Sequence, residues 1–431
     1  MWSPARLVCA LACWLSVGTA ARAQNPAHPP AMGQARTYAI TGGHWFNGTR
    51  FVRDTWYVVQ GRFRHAPPAR IDTTIELDGA FVVPPFGEAH NHNIDSTSRL
   101  AGLLTRYRQD GVFFVQNPSI LPASRDALTG VVNVPASLDV TFALGGLTGP
   151  GGHPWLVAKR NLDRGAWTVA QTDGAFYWTV ANRDELEAKM PQLLAQRPDF
   201  IKVFLLYADE YARRLADSSS IGWRGIDPAL LPVLVTRAHA AGKRVVAHIE
   251  TAADFRIAVQ AGVDQIAHMP GFRGDERVRL PVPSRYLLTE ADARLAMQRG
   301  TVVITTLGGA ATLDPAGPDS STRRALDVLH RENLRTLQRQ RVRLAIGSDT
   351  YSDDSRDEVA YLRTLRVLSD TTLLRIWAMD TPRAIFPSRR LGRFVEGFEA
   401  HLLALDCNPL MRFDCTTSIR LRMKAGQLLT P

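Results

Sequence analysis

Two histidines separated by a single residue, His90 and His92, end a short apolar run that begins at Val82. Residues i and i+2 of a β-strand point to the same face, so the two imidazoles can share one metal ion where the strand ends. A lone His-x-His pair is more often part of a surface turn. Its interpretation therefore depends on what the rest of the chain places at comparable positions.

Four more residues of metal-ligand type lie at or near the ends of later apolar segments. They are Lys202 in Ile-Lys-Val-Phe-Leu, His248 in Val-Val-Ala-His, His268 in Gln-Ile-Ala-His and Asp349 in Ile-Gly-Ser-Asp. Each has an ordinary explanation by itself, such as a hydrogen-bonded core histidine or a helix-capping aspartate. A buried lysine is costly unless its ammonium is paired. Six such residues at segment ends therefore indicate one shared site.

Apolar strands alternate with amphipathic helices from about residue 81 to about residue 380. The predicted strands are Phe81–Pro85, Val112–Gln116, Val140–Leu144, Phe200–Leu206, Arg244–Ala247, Gln265–Ala267, Thr301–Thr305 and Arg343–Ile346. The clearest predicted helices are Asp184–Arg197, Asp227–Ala241, Thr289–Arg299 and Arg323–Gln340. Eight β/α units favour an α/β chain with a (β/α)8 TIM-type barrel, in which the C-terminal strand ends converge on the face that carries active sites.

Short β segments at both ends of the chain indicate a second, smaller unit. They lie between Tyr38 and Leu77 and between His401 and Leu429. We predict a small β-sandwich domain built from residues 38–80 and 388–431, with the barrel occupying residues 81–387.

The first 23 residues have the character of a secretory signal. Arg6 precedes the apolar run Leu7–Val17, and Ala21-Arg22-Ala23 supplies small residues where a signal peptidase cuts. The apolar run is shorter than the roughly 20 residues that span a bilayer, so a membrane anchor is disfavoured. Cleavage before Gln24 would export the protein to the periplasm or the medium, leaving residues 24–37 as a flexible, Pro-rich start.

The charge balance argues against nucleic acid as a partner. The formal charge is +10, and it falls to about +8 when cleavage removes Arg6 and Arg22. The remaining Arg residues are scattered rather than clustered. We expect a small-molecule substrate and no stable membrane insertion, and a homo-oligomer stays open. Two cysteines remain, Cys407 and Cys415, either as a local disulfide or as two free thiols.

The six residues together resemble the amidohydrolase superfamily of metal-dependent hydrolases. The matching positions are His90-Asn-His92 after strand one, Lys202 on strand four, His248 and His268 after strands five and six, and Asp349 after strand eight. The likeness covers residues 38–429 and includes the tail 394–410, where His401 replaces the common Asp. The opening motif also departs, with Phe-Gly-Glu-Ala-His where Ile-Asp-x-His is common.

The resemblance implies a site with two divalent metal ions, Zn²⁺ being expected and Mn²⁺, Fe or Co remaining open. His90, His92 and Asp349 would bind one ion, and His248 and His268 the other. Lys202, converted by CO2 to a carbamate, would bridge them. The ions would activate a bridging hydroxide, and Asp349 would act as the catalytic general base and then acid.

The implied reaction is hydrolysis of a C–N bond in an amide, cyclic amide or dipeptide-like compound, as in prolidase-like members. A lactonase or esterase on the same site is the alternative, as is a non-catalytic binding protein of the same fold. His153, in the loop Gly145–Pro154, and Tyr207 are predicted to bind substrate; a solvent-facing loop histidine and packing on the barrel rim are the competing interpretations. Arg273 is expected to bind an anionic group, and Asp217–Gly225 to form a lid.

Overall fold

The structure is a computed structural model that describes residues 36–95, 97–272, 283–308 and 320–430. The signal peptide predicted at residues 1–23, and nearly all of the segment predicted to be flexible, lie outside this range. Among the helices of the described residues, none combines enough length and apolar character to cross a bilayer.

Ten short parallel strands form the centre of the α/β part of the chain. They are β6 Phe86–Glu88, β7 Val112–Asn117, β8 Asp139–Phe142, β9 Gly146–Thr148, β10 Tyr177–Thr179, β11 Ile201–Leu205, β12 Val245–Ile249, β13 Gln265–Ala267, β14 Val302–Ile304 and β15 Arg343–Ala345. Most of their side chains are fully buried, as expected for strands covered on both faces.

These strands form two parallel sheets, one of three strands and one of seven. The orders are β6-β7-β8 and β10-β9-β11-β12-β13-β14-β15. Hydrogen bonds nevertheless cross both gaps between the sheets: among them, Ala89 N donates to Ile346 O (2.7 Å), and Asp199 N donates to Phe142 O (2.8 Å). No continuous ladder closes the strands into a barrel among the described residues.

Helices follow most of the parallel strands. They are α1 Leu100–Gln109, α2 Pro122–Ala127, α3 Trp155–Asp163, α4 Arg183–Ala195, α5 Tyr211–Ala216, α6 Leu231–Ala240, α7 Ala252–Ala261, α8 Pro283–Tyr286, α9 Glu290–Arg299, α10 Ser321–Arg339, α11 Ser355–Leu365, α12 Asp370–Arg375 and α13 Thr381–Ile385. The four clearest sequence predictions correspond to α4, α6, α9 and α10. The Thr289 hydroxyl caps α9 by accepting a hydrogen bond from Asp292 N, as the Thr-Glu-Ala-Asp signal predicts.

The prediction of one strand over Phe81–Pro85 is wrong. The segment divides into β5 Phe81–Val83, which pairs with strands from the chain ends, and β6, which starts the parallel set. Pro84 and Pro85 lie between them, and because proline has no N–H to donate, a ladder cannot continue through the pair. The chain changes sheets at these two residues.

Both ends of the chain contribute to a third sheet of eight strands. Its other strands are β1 Tyr38–Phe46, β2 Phe51–Val59, β3 Arg62–Arg64, β4 Thr73–Glu76, β16 Leu402–Leu405, β17 Ile419–Lys424 and β18 Gln427–Leu429. Their order is β18-β17-β16-β5-β1-β2-β3, with β4 also paired to β1. This is one mixed sheet, and the predicted sandwich of two sheets is not seen among the described residues.

An irregularity in β1 explains the branched sheet. The register of β1 against β2 shifts between Ile40 and Gly43, so the first half of β1 pairs with β4 and the second half with β5. Gly42 has a φ of +72°, and a Cβ on Gly43 would lie 2.6 Å from Leu77 Cδ1. Glycine is therefore required at the bend.

Cys407 and Cys415 form a disulfide that closes the loop between β16 and β17. The Cα atoms are 5.4 Å apart, within the usual range for a disulfide. Of the two alternatives left open by the sequence, the structure contains the bonded one.

A buried ionic cluster joins the eight-stranded sheet to β8. Asp139, at the start of β8, contacts Lys424 Nζ at 2.5 Å and Arg389 Nη1 at 2.8 Å. Arg389 also contacts Glu399, which in turn meets His401 Nε2 at 3.0 Å. Although burial raises it, the pKa of Asp139 is held below its usual range by Lys424 and Arg389. The carboxylate therefore stays charged between two cations from the C-terminal part of the chain.

We expect Asp139→Ala to lower the free energy of unfolding by about 3–5 kcal/mol, because it leaves two cations buried without their shared partner. Urea denaturation followed by circular dichroism would measure it. The control is Asp126→Ala, whose carboxylate is 66% exposed in its ion pair with Arg125 and should change stability by less than about 0.5 kcal/mol. Equal stability of the two variants would contradict the assignment.

Candidate metal centre

A cavity of about 400 Å³ lies at the C-terminal ends of the parallel strands. The structure brings all six predicted ligands to its lining, together with His153. The ligands are His90, His92, Lys202, His248, His268 and Asp349. Residues separated by up to 259 positions in the sequence thus meet in one place, as expected for strand ends that converge on one face.

The first group of ligand atoms centres on the Asp349 carboxylate. Its Oδ1 lies 3.4 Å from His90 Nε2 and 3.2 Å from His92 Nε2, and one ligand atom from each of the three residues falls within 4.8 Å of the others. Two ligands of one tetrahedral ion at bond lengths of about 2.0–2.2 Å are about 3.3–3.6 Å apart. The separations and the donor types therefore fit a single divalent ion.

The second group is formed by two further histidines. The rings of His248 and His268 have centroids 4.5 Å apart. His268 also joins this group to the first, because its Nδ1 lies 3.9 Å from Asp349 Oδ2 and its ring is 4.7 Å from that of His90. Its Nδ1 is 2.7 Å from the hydroxyl of Thr306, which fixes the orientation of the ring.

Lys202 is the buried cation of the site, with only 3% of its surface exposed. It lies on β11 in register with Val246 of β12, so its side chain enters the cavity beside His248 two residues further along that strand. Burial, and next the nearby Lys202 ammonium, lower the pKa of His90 to about 3. His90 is therefore a neutral imidazole at physiological pH, which is the form that binds metals.

Glu88 holds the two ligand-bearing loops together. Its Oε1 accepts hydrogen bonds from His90 N and Ser348 N, each at 3.0 Å, and its Oε2 accepts one from Ser348 Oγ at 2.7 Å. Asp349 N donates to His90 O at 2.7 Å. The glutamate that departs from the usual motif is thus a direct link between the first and last parallel strands. Burial raises its pKa to about 8.

Asn91, between the two histidines, supplies a second link. Its Nδ2 donates to Ser348 Oγ at 2.8 Å and to Asp353 O at 2.9 Å, while its Oδ1 accepts from Asn93 N at 2.7 Å. The side chain thus bonds to the segment after β15 and to Asn93. His90 and His92 are therefore held by the residue between them.

Two of the predicted ligands lie in the left-handed region of backbone conformation. His268 has a φ of 81° and Asp349 a φ of 54°, and Thr306, the partner of His268, has a φ of 49°. Such conformations are unfavourable for residues other than glycine and cluster at functional sites. The tight turns at these strand ends direct the side chains into the cavity.

His153 lies where the sequence predicts a substrate contact. It lines the cavity, its ring stacks on His248 with centroids 4.9 Å apart, and it meets the edge of Phe204 at 5.1 Å.

Tyr207 is placed differently from His153. It is buried but is not part of the cavity lining, and its ring packs between the guanidinium groups of Arg214 (3.7 Å) and Arg285 (4.8 Å). Packing, the competing interpretation, describes this position. Arg273 lies outside the described residues.

Hydrogen bonds connect the loop predicted as a lid, Asp217–Gly225, to neighbouring segments. Arg224 donates to Pro150 O at 2.8 Å and to Arg214 O at 2.7 Å, and Gly222 N donates to Gly151 O at 2.7 Å. Gly222 and Trp223 line the cavity. The loop is therefore a fixed wall of the cavity in this structure, bonded to the loop that carries His153.

Sequence reasoning missed several residues of the cavity, among them two that contact predicted ligands. Glu250 Oε1 lies 3.2 Å from His248 Nε2, and Tyr351 stacks on His92 with ring centroids 5.2 Å apart. For Glu250 a signal was present, because His248-x-Glu250 repeats at another strand end the spacing of His90-x-His92. Tyr351 follows Asp349 by two residues, but nothing in the sequence indicates a stacking partner.

Solved structures share this fold along almost the whole chain. An amidohydrolase is 20% identical with a TM-score of 0.69, covering 91% of this chain and 99% of that one. The A. niger ochratoxinase is 16% identical with a TM-score of 0.69, covering 92% and 96%. A prolidase solved with N-methylphosphonate-L-proline is 18% identical with a TM-score of 0.67, covering 91% and 99%.

No protein-family model and no curated protein sequence matches the chain. The likeness to solved structures confirms, at the level of the fold, the resemblance to amidohydrolases drawn from the six ligand positions.

We expect His92→Ala to retain fewer divalent ions per chain than the unchanged protein, because one of three grouped ligand atoms is lost. The affinity for the metal ion should fall by at least about 10–100-fold, because substituting a residue that only hydrogen-bonds to a metal ligand already has an effect of this size. Elemental analysis after dialysis measures it. The control is His65→Ala, a 53% exposed histidine in the eight-stranded sheet. Equal metal content in both variants would refute the grouping.

Proposed function

We propose that the chain is an exported, metal-dependent hydrolase of the amidohydrolase superfamily that cleaves a C–N bond in a small amide, cyclic amide or dipeptide-like molecule. One observation carries the proposal. All six ligand-type residues lie in one cavity, in a fold shared with an amidohydrolase and a prolidase. A cavity of about 400 Å³ suits a small molecule rather than a macromolecular partner.

We infer that the two parallel sheets are parts of one (β/α)8 barrel spanning residues 81–387, and that residues 38–80 and 388–431 form a composite β domain. The hydrogen bonds from Ala89 to Ile346 and from Asp199 to Phe142, which cross both gaps, support the barrel. The separate apolar core of the eight-stranded sheet, which includes Trp45, Phe63 and Met423, supports the division.

Two divalent ions, of which Zn²⁺ best suits imidazole and carboxylate donors, would be held by this chain. His90, His92 and Asp349 would bind one ion, and His248 and His268 the other. Lys202 would bridge them as a carbamate, formed when its neutral amine attacks CO2 and releases a proton. Deep burial supports this assignment, because burying an ammonium is costly, whereas a carbamate anion between two cations would be stabilised by them.

The bound ions would supply Lewis-acid polarisation of the scissile carbonyl and acidify a bound water. Asp349 is placed beside both histidine groups to accept the proton of the attacking water and return it to the leaving nitrogen. His153, whose ring stacks on His248, would orient the substrate at the cavity wall. The products would be a carboxylic acid and an amine.

Export to the periplasm or the medium would follow from cleavage of the signal at residues 1–23. The disulfide between Cys407 and Cys415 supports an oxidising compartment. The proposal includes neither a nucleic-acid partner nor stable insertion into a membrane.

The activity is tested with a panel of dipeptides, N-acyl amino acids and lactones, assayed with the protein after incubation with Zn²⁺ and with a chelator. We expect hydrolysis of at least one amide, at a rate at least about 100-fold above the chelated sample. Hydrolysis of lactones alone would favour the esterase alternative. Ligand binding without turnover anywhere in the panel would favour the binding protein.

The carbamate is tested with Lys202→Ala and Lys202→Met. Both should retain less metal and lose activity by orders of magnitude. The unchanged protein should show a carbamate carbon by NMR after incubation with ¹³C-bicarbonate. Lys189→Ala, which removes an ammonium bonded to Thr179 O and Glu185 away from the cavity, is the control. Full metal content and activity in both Lys202 variants would remove the carbamate from the mechanism.

A further inference from the structure

One face of α3 lines the metal cavity. The helix begins directly after His153 and Pro154, and its cavity-lining residues follow helical spacing. They are Leu156, Val157, Lys159, Arg160 and Asp163. Positions 156, 159/160 and 163 recur at i, i+3/i+4 and i+7, which is one stripe of a helix. This stripe carries two cations and one anion in addition to its apolar residues.

The two cations of the stripe differ in their partners. Lys159 Nζ contacts both oxygens of Asp163, at 2.9 and 2.7 Å, so its charge is matched within the helix. The Arg160 side chain makes no hydrogen bond or ion pair with any residue in the described part of the chain. The helix therefore presents one unmatched guanidinium to the cavity.

The other acids of the cavity lining do not neutralise Arg160. Asp349 lies between His90 and His92, at 3.4 and 3.2 Å, and Glu250 lies 3.2 Å from His248. The acids that line the described cavity thus have partners within 3.4 Å, either imidazoles or Lys159. The Arg160 guanidinium, on an exposed residue of the cavity lining, is therefore available to an anionic group of a ligand.

The position of Arg160 relative to the predicted metal-binding residues also suits contact with a bound substrate. Side chains of an α-helix lean toward its N terminus, and that end of α3 is next to His153, which stacks on His248. Leu156, Val157, Phe176 and Trp223 form apolar surface in the same cavity. This surface could pack against an apolar side chain of a ligand whose anionic group reaches Arg160.

We propose that Arg160 determines specificity by binding a carboxylate of the substrate, with a large apolar side chain packed beside it. The inference rests on the proposed hydrolase function and narrows its substrate to an N-acyl amino acid or dipeptide with a free carboxylate. Arginine suits this role because its planar guanidinium binds a carboxylate through two parallel hydrogen bonds. The metal ligands would act on the amide, while Arg160 holds the other end of the molecule.

The test compares N-acetyl-L-phenylalanine with N-acetyl-L-phenylalaninamide, which differ in the carboxylate. Chromatography identifies the bond cleaved. We expect kcat/KM of the metal-loaded protein to be at least about 10-fold higher for the acid. Arg160→Gln should lower kcat/KM for the acid by about 10–100-fold, mainly by raising KM, because a charged hydrogen bond to the substrate is lost. The same substitution should change kcat/KM for the amide by less than about 3-fold. Arg160→Lys should restore part of the preference.

The matched control is Arg164→Gln, at the end of α3 and outside the cavity lining, which should leave the preference unchanged. Hydrolysis of both compounds at equal rates, or an equal loss for both in Arg160→Gln, would overturn the role of Arg160 while leaving the hydrolase intact.

If neither compound is hydrolysed, the proposed activity fails on these substrates and calorimetry decides on Arg160. We then expect N-acetyl-L-phenylalanine to bind the unchanged protein at least about 10-fold more tightly than Arg160→Gln. Absent or equal binding overturns the proposal.

Discussion

The geometry of the cavity depends on the hydrogen bonds that join the first and last parallel strands. Ala89, His90 and Glu88 on one side bond to Ile346, Asp349 and Ser348 on the other. These bonds set the separation between the two imidazoles and the Asp349 carboxylate to that of ligands sharing one ion. Displacing either loop by about an ångström would remove that match, so the fit of the site to a metal ion depends on these bonds between strands rather than on any single residue.

The cavity lining brings several ionisable side chains close together. Four histidines, a buried lysine and one aspartate lie in it, and the Lys202 ammonium opposes protonation of His90. Grouping neutral imidazoles this closely would be unfavourable in a packed core, because their ring nitrogens would compete for few hydrogen-bond partners. With divalent ions and a carbamate on Lys202 present, the imidazoles would serve as metal ligands, and charges of opposite sign would alternate through the site.

The six residues that meet in the cavity could be singled out from the sequence because each is part of a local pattern: an apolar run containing or followed by a residue that can bind metal. His248 and His268 required no knowledge of distant contacts. The division of Phe81–Pro85 between two sheets, the extra strands β9 and β10 and the single eight-stranded sheet all depend on which strands pair across long distances. Local periodicity does not contain that information. Tyr207 lies outside the cavity lining for a partly related reason: its ring packs between Arg214, which is close in the sequence, and Arg285, which is not.

The structure separates the residues that would hold metal from those that would choose a substrate. The predicted metal ligands lie on strands or within four residues of a strand end, and left-handed backbone conformations occur at His268 and Asp349. The walls come from α3 and from the loop containing Trp223, which is bonded to the neighbouring loop rather than to the strands. Substitution on α3 can therefore change the charge and shape of the cavity without moving a ligand. That independence explains physically how one ligand arrangement can serve different substrates.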